Sequence, residues 1–170
     1  MAPSGRGARV PDVRDALDAV ESATAGLDAP LAALHLPSLR ANLADLTTRA
    51  GGTRIRIASK SVRCRGVLEE VLGHGLSGDA AVRGVMAYSL AEAIWLVGEG
   101  CDEVLLGYPT VDRGALAALW RDPRALDAVT LMVDEVRQLE IARDAGAGGA
   151  RMCVDVDASL RLGPIHLGVR

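Results

Sequence analysis

At 170 residues, 49% of them apolar, with a net charge of −3, the chain has the length and the material for one domain with a buried core, which excludes disorder of the whole. The mild acidity, with arginines scattered along the chain and not gathered in one run, argues against a nucleic-acid footprint. No uncharged apolar run approaches the roughly 18 to 20 residues that span a bilayer, and Asp12, Arg14, Asp15 and Asp18 stand where a secretory peptide would need apolar residues, so a cytoplasmic location is expected.

Residues 1–10 are read as a disordered lead, followed by an N-terminal segment over 11–53. Val13, Leu17, Val20 and Ala23 recur at helical spacing over Val13 to Thr24, and Gly26 is placed to stop that helix. Leu31 to Leu36 reads as a short strand. Pro37 and Ser38 break it, and Leu39, Leu43 and Leu46 mark a second helix closed by Gly51 and Gly52.

From residue 54 a repeat begins. Arg54 to Ser59 reads as a strand leading to Lys60, and Val67, Leu68, Val71 and Leu72 give the following helix. After a loop from Gly73 to Gly84, Val85 to Tyr88 is the next strand. Ser89 and Glu92 fit a capping box for a helix with Leu90, Ala93, Ile94 and Val97 on its buried side. Glu103 to Gly107 and Val129 to Val133 are two more strands. Asp112 and Asp134 cap the helices behind them, with Leu116, Leu119 and Trp120 on one apolar face and Val136, Leu139 and Ala142 on the other. A last strand, Arg151 to Val156, leads into Asp157 to Gly163.

Strands alternating with helices require parallel crossovers, so the fold class is α/β. A barrel and an open doubly wound sheet both remain. No GxGxxG or Walker A pattern follows a strand, which favours a β/α barrel. An eight-stranded barrel takes about 250 residues, so the five strands are the first part of one, over 54–170, and the chain reads as a fragment.

Catalytic groups of such barrels gather at the C-terminal strand ends. Of the 19 basic side chains, 18 are arginine and one is lysine, and Lys60 stands at such an end. Arginine replaces lysine as a surface cation but cannot serve as an amine nucleophile, so a lone lysine there points to Schiff-base chemistry. Both tyrosines of the chain, Tyr88 and Tyr108, share this placement, as do Asp157, Ser159 and Arg161. Each tyrosine reads equally well as a half-buried core residue. Asp134 is better read as a helix cap, and His35 and His74 as structural or solvated. His166 lies near Arg161 in the terminal loop and stays a weaker candidate. Strand parity puts Arg56 on the Lys60 side, with Asp155 or Asp157 as its expected partner. Cys64, Cys101 and Cys153 form no CxxC pair and are read as buried or idle thiols.

Ala58-Ser59-Lys60-Ser61-Val62-Arg63 resembles the cofactor-lysine motif of the fold type III pyridoxal-phosphate enzymes, whose barrel is that of the alanine racemase N-terminal domain. The segments Gly84 to Ala93, Leu105 to Thr110 and Asp155 to Gly163 resemble the branch of D-serine dehydratase, D-threonine aldolase and related amino-acid deaminases. The resemblance implies a partial (β/α)8 barrel binding pyridoxal 5'-phosphate, with the C-terminal β-domain missing. It implies a PLP-dependent lyase of dehydratase or aldolase type acting on D-amino acids through a Lys60 Schiff base, inactive as this fragment. Lys60 would be catalytic and, with Arg161, Tyr88, Tyr108 and Ser159, cofactor-binding. A divalent metal would have its ligands outside this chain, and the full-length protein would be a homodimer taking a small amino-acid substrate, with no nucleic-acid or membrane partner. An amino-acid racemase and a non-catalytic pyridoxal-phosphate binding protein are the alternatives.

Overall fold

The computed structural model of the chain describes residues 11–73, 75–79 and 81–168. They fall into two compact units, one ending at Ile55 and the other starting at Arg56.

The first unit holds α1 (Val13–Thr24) and α2 (Leu36–Ala50). Asp12 caps α1 by accepting from the Arg14 backbone N–H at 2.8 Å. The apolar stripe of α1 is left in the open, Val13 and Leu17 among it, and Ala41 of α2 is the buried position in these helices. The strand expected over Leu31 to Leu36 is not formed. Leu31 to His35 is irregular, and α2 starts at Leu36 with Pro37 in its first turn, where a missing N–H costs nothing. His35 is the N-cap, its Nδ1 lying 2.7 Å from the Ser38 hydroxyl, a structural role.

In the second unit, β1 (Ile55–Ala58), β2 (Val82–Ala87), β3 (Val104–Leu106), β4 (Val129–Val133) and β5 (Arg151–Val154) form one sheet in the order β1-β2-β3-β4-β5. Val85 pairs with Val104, Val104 with Val129, and Leu131 with Met152, all in parallel register. Between the strands run α3 (Arg65–Leu72), α4 (Leu90–Gly98), α5 (Arg113–Arg121), the short α6 (Pro123–Ala128) and α7 (Val136–Asp144).

Sequential strand order is the signature of a singly wound sheet, since a doubly wound one reverses direction at its middle. The open alternative is thereby removed, and the unit is an α/β part of a barrel. Residue alternation agrees: Val85, Ala87, Val104, Leu106, Val129, Leu131 and Val133 are buried, while Met86, Leu105, Thr130 and Met132 between them are only partly so. The buried set meets Leu90, Ala93, Leu96, Leu116 and Leu119 from the helices, a core of branched aliphatics with no phenylalanine.

Several expectations need correction. β2 starts at Val82, so Gly84 is inside a strand, not at the end of a loop. It sits at φ +77°, and a Cβ there would come 2.7 Å from the Glu103 carbonyl oxygen, so the glycine lets β2 and the start of β3 approach. On α4 the buried position is Leu96 where Ile94 was expected. Trp120 and Val136 are exposed, and Leu139 is exposed too, leaving Ala142 as the buried residue of α7. The N-cap of α7 is Glu135 and not Asp134. Gln138 makes the cap, its Oε1 accepting from the Asp134 and Glu135 backbone N–H groups. Short α6, capped by Asp122, was not foreseen.

Beyond β5 the chain makes a small antiparallel pair, β6 (Leu160–Leu162) and β7 (Ile165–Leu167), where a terminal loop was expected. Among the described residues no helix is long and apolar enough to cross a membrane.

Candidate functional site

β1 ends at Ala58, and Ser59–Ser61 closes into a single 3-10 turn that carries Lys60, two residues past the strand at whose end it was expected. The turn is pinned from beneath: Ser59, almost wholly buried, donates its hydroxyl to the Met86 carbonyl of β2 at 3.2 Å. Lys60 is thus held against the neighbouring strand by the residue before it while its own side chain remains exposed.

Tyr88 follows β2 directly. Its backbone N–H donates to the Glu92 carboxylate at 2.9 Å, and the Ser89 hydroxyl accepts from the Glu92 backbone N–H at 3.2 Å. This is a reciprocal cap, displaced so that the returning carboxylate meets Tyr88 and not Ser89. Tyr108 follows β3 by one residue. The Gly107 N–H donates to the Ala87 carbonyl at 2.9 Å, which carries the β2–β3 ladder one step further and sets the two tyrosines side by side.

Their rings meet edge to face, with centroids 5.3 Å apart and planes at 65°. The Lys60 ammonium donates to the Tyr108 hydroxyl at 2.8 Å. Its nitrogen is also 5.3 Å from the Tyr108 ring centre, but contact with the hydroxyl at that distance puts it beyond the edge of the ring. The interaction is therefore a hydrogen bond and not a cation on the ring face. Among the described residues Lys60 has no carboxylate partner.

Three of the five candidate residues, Lys60, Tyr88 and Tyr108, are thus in one cluster. Ser159 is engaged with Asp157, whose Oδ1 accepts from both its backbone N–H and its hydroxyl. Arg161 lies on β6 opposite His166 of β7; both side chains, and His74, lie outside the described residues. Asp134 accepts from Gln138 Nε2 at 2.6 Å, as suits a structural carboxylate. The expected partner of Arg56 is corrected. Its guanidinium pairs with Glu103, at the start of β3, and not with Asp155 or Asp157, because a β1 side chain reaches across β2 more easily than to the far edge of a five-stranded sheet.

The sequence suggests Arg63 as a cation near Lys60, but not its contact with a ring. Its guanidinium carbon lies 5.5 Å from the Tyr88 ring centre. Beside it, between α3 and α4, is a cavity of about 390 Å³ lined in part by Ser59, Arg63, Cys64, Tyr88 and Trp95. Arg65, at the start of α3, pairs with Glu69 and Glu99, and its hydrogen bond to Glu69 leads in raising its pKa above the ordinary arginine value. Among the described residues no group of three or more His, Cys, Asp or Glu side chains is placed to hold a metal ion.

An exposed lysine side chain bonded to a tyrosine hydroxyl, with an aromatic pair beside it at the C-terminal end of a parallel sheet, suits a carbonyl-bearing cofactor, so the residues present fit pyridoxal phosphate at this point.

No family model matches the sequence, and no curated protein matches it. Among solved structures, the chain is similar to D-threonine aldolase from Filomicrobium marinum, with a TM-score of 0.65 and 25% identity over 83% of this chain. It spans 37% of the length of that protein. The fold is that of the N-terminal part of the fold type III pyridoxal-phosphate enzymes, as the Lys60 motif implied.

Proposed function

We infer that this chain, carrying a barrel portion of that fold, binds pyridoxal phosphate through Lys60 and belongs to a lyase of the D-amino-acid aldolase or dehydratase type. The observation that carries the reading is the contact of Lys60 with Tyr108 at the sheet's C-terminal end. The likeness to a D-threonine aldolase supports the aldolase side of it.

Pyridoxal phosphate, when bound, supplies the electron sink for breaking a bond at the substrate α-carbon. The chain's own part is to hold and orient. Lys60 Nζ is the atom that would hold the cofactor and, once displaced by a substrate amine, the atom that would take or return a proton. The Tyr108 hydroxyl accepts from Nζ and fixes the direction in which the Lys60 side chain ends. The edge-to-face pair of Tyr88 and Tyr108 forms an aromatic wall on that side. Tyr108, Tyr88 and Lys60 therefore act together; Ser159 and Arg161, on the segment after β5, are proposed as further cofactor contacts by resemblance.

The reading is tested by supplying the full-length protein that carries this barrel portion with pyridoxal phosphate and either D-threonine or D-serine. Carbon–carbon cleavage of D-threonine to glycine and an aldehyde assigns the aldolase; ammonia release from D-serine assigns the dehydratase. Loss of both in Lys60→Ala is expected, and product formation undiminished in that variant would refute the role of Lys60. Cofactor binding at Lys60 with neither product would leave a pyridoxal-phosphate carrier and overturn the lyase assignment.

A further inference from the structure

Arg63 stands three residues beyond Lys60, after the turn that carries the lysine and before α3 begins. Its guanidinium carbon, 5.5 Å from the Tyr88 centroid, is inside the ~6 Å reach of a cation–π attraction. The next arginine, Arg65, is taken up by Glu69 and Glu99, whereas Arg63 has no carboxylate partner among the described residues, and Tyr88 is its contact.

The path then continues without a gap. The Tyr88 ring meets the Tyr108 ring edge to face at 5.3 Å, and the Tyr108 hydroxyl receives Lys60 Nζ at 2.8 Å. Lys60 and Arg63 leave the same short stretch of backbone, and the two rings join them into a closed circuit. Both rings are about half exposed, at 52% for Tyr88 and 44% for Tyr108, so burial alone does not fix their rotamers. The Glu92 bond holds Tyr88 only by its backbone.

We propose that Arg63 is a positioning residue: by holding the Tyr88 ring it fixes the Tyr108 ring and thereby the direction of the Lys60 amine. Its importance to catalysis rests on reading Lys60 as the cofactor lysine. The arrangement itself is a property of the chain without cofactor.

Because Lys60 is the one lysine of the 170 residues, reductive methylation with labelled formaldehyde puts a single side-chain probe at Nζ, and the dimethylated ammonium keeps one N–H to donate. Relaxation of that probe in the cofactor-free chain reads how firmly the amine is held. Arg63→Ala and Tyr88→Leu should each loosen it, and Arg63→Lys should restore most of the order, since lysine also attracts a ring face. Arg65→Ala should leave it unmoved. In the Tyr88→Leu background, Arg63→Ala should add nothing.

The same variants are then given pyridoxal phosphate, and capture by Lys60 is followed by borohydride trapping. Arg63→Ala should slow capture about three- to fivefold, the scale of an exposed cation–ring contact, with Arg63→Lys near wild type. An unmoved probe in Arg63→Ala, or a loosening that persists in the Tyr88→Leu background, would overturn the proposal, the latter by showing a direct effect of charge. Normal coupling in the probe with no capture by the wild type would instead refute the cofactor reading and leave the positioning contact standing.

Discussion

The Lys60 ammonium and the Tyr108 hydroxyl meet at 2.8 Å across 48 residues of sequence, the amine arriving from the turn after β1 and the phenol from the loop after β3. Two βα units on either side of β2 thus deliver one side chain each to one point, which is what a parallel sheet with short loops does at its C-terminal end. Tyr108→Phe keeps the ring contact with Tyr88 and removes the acceptor. Affinity for pyridoxal phosphate should fall about five- to tenfold, the scale of ~1 kcal/mol for a partly exposed hydrogen bond, with the far-UV circular dichroism unchanged.

Gly84 and Gly66 should answer a methyl group in opposite ways. In Gly84→Ala the new Cβ meets the Glu103 carbonyl oxygen at 2.7 Å with φ at +77°, so stability should drop by about 2 kcal/mol or more. Gly66, in the first turn of α3, has open space around it and an ordinary φ, and alanine there should add up to about 0.5 kcal/mol. Urea titrations of the two variants check both signs.

Leu119 and Trp120 are consecutive on α5 but differ in burial: Leu119 is fully enclosed while Trp120 is half exposed. Leu119→Ala should cost about 2–5 kcal/mol through the cavity it leaves. Trp120→Ala, though it removes a larger side chain, should cost about 1 kcal/mol, because its ring rests on Gly146 at the surface.

Burial pushes the Cys101 thiol above its ordinary value of 9.0, and the nearby Asp102 and Glu103 charges add to the rise. Its proton is bound more tightly in the folded than in the unfolded chain. The stability it contributes is therefore full below the ordinary thiol value and is lost as pH rises from there through the folded value. Cys64, exposed at the start of α3, should be alkylated by iodoacetamide in the native chain at pH 8 while Cys101 is spared until denaturant is added, as peptide mass spectra would show.

The residues that were legible from sequence are those whose surroundings are local. Val13 to Thr24, Val129 to Val133 and the caps at Asp112 and Ser89 are set by spacing and by neighbours a turn away, and they stand where the pattern put them. Lys60, Tyr88 and Tyr108 were singled out because strand ends converge in a barrel, and the parallel order of the sheet brings them together. What the pattern missed depends on contacts across the chain. Gly84 reads as a loop residue until the approach of Glu103 is known, and Trp120 reads as core until the neighbouring helices are seen to leave it uncovered. Arg56 could be expected to need a partner, but Glu103 is distinguished from Asp155 only by which strand lies nearer. Arg63 gave no signal beyond its three-residue spacing from Lys60, since the ring it touches belongs to the next βα unit.

The most direct test of the central claim is to incubate the chain with pyridoxal phosphate, reduce with borohydride and map the added mass by peptide mass spectrometry. The account predicts one phosphopyridoxyl group, on Lys60, formed at stoichiometric cofactor and absent in Lys60→Ala. Labelling confined to the N-terminal amine, or a Lys60 peptide that stays unmodified while the chain is folded, would contradict it.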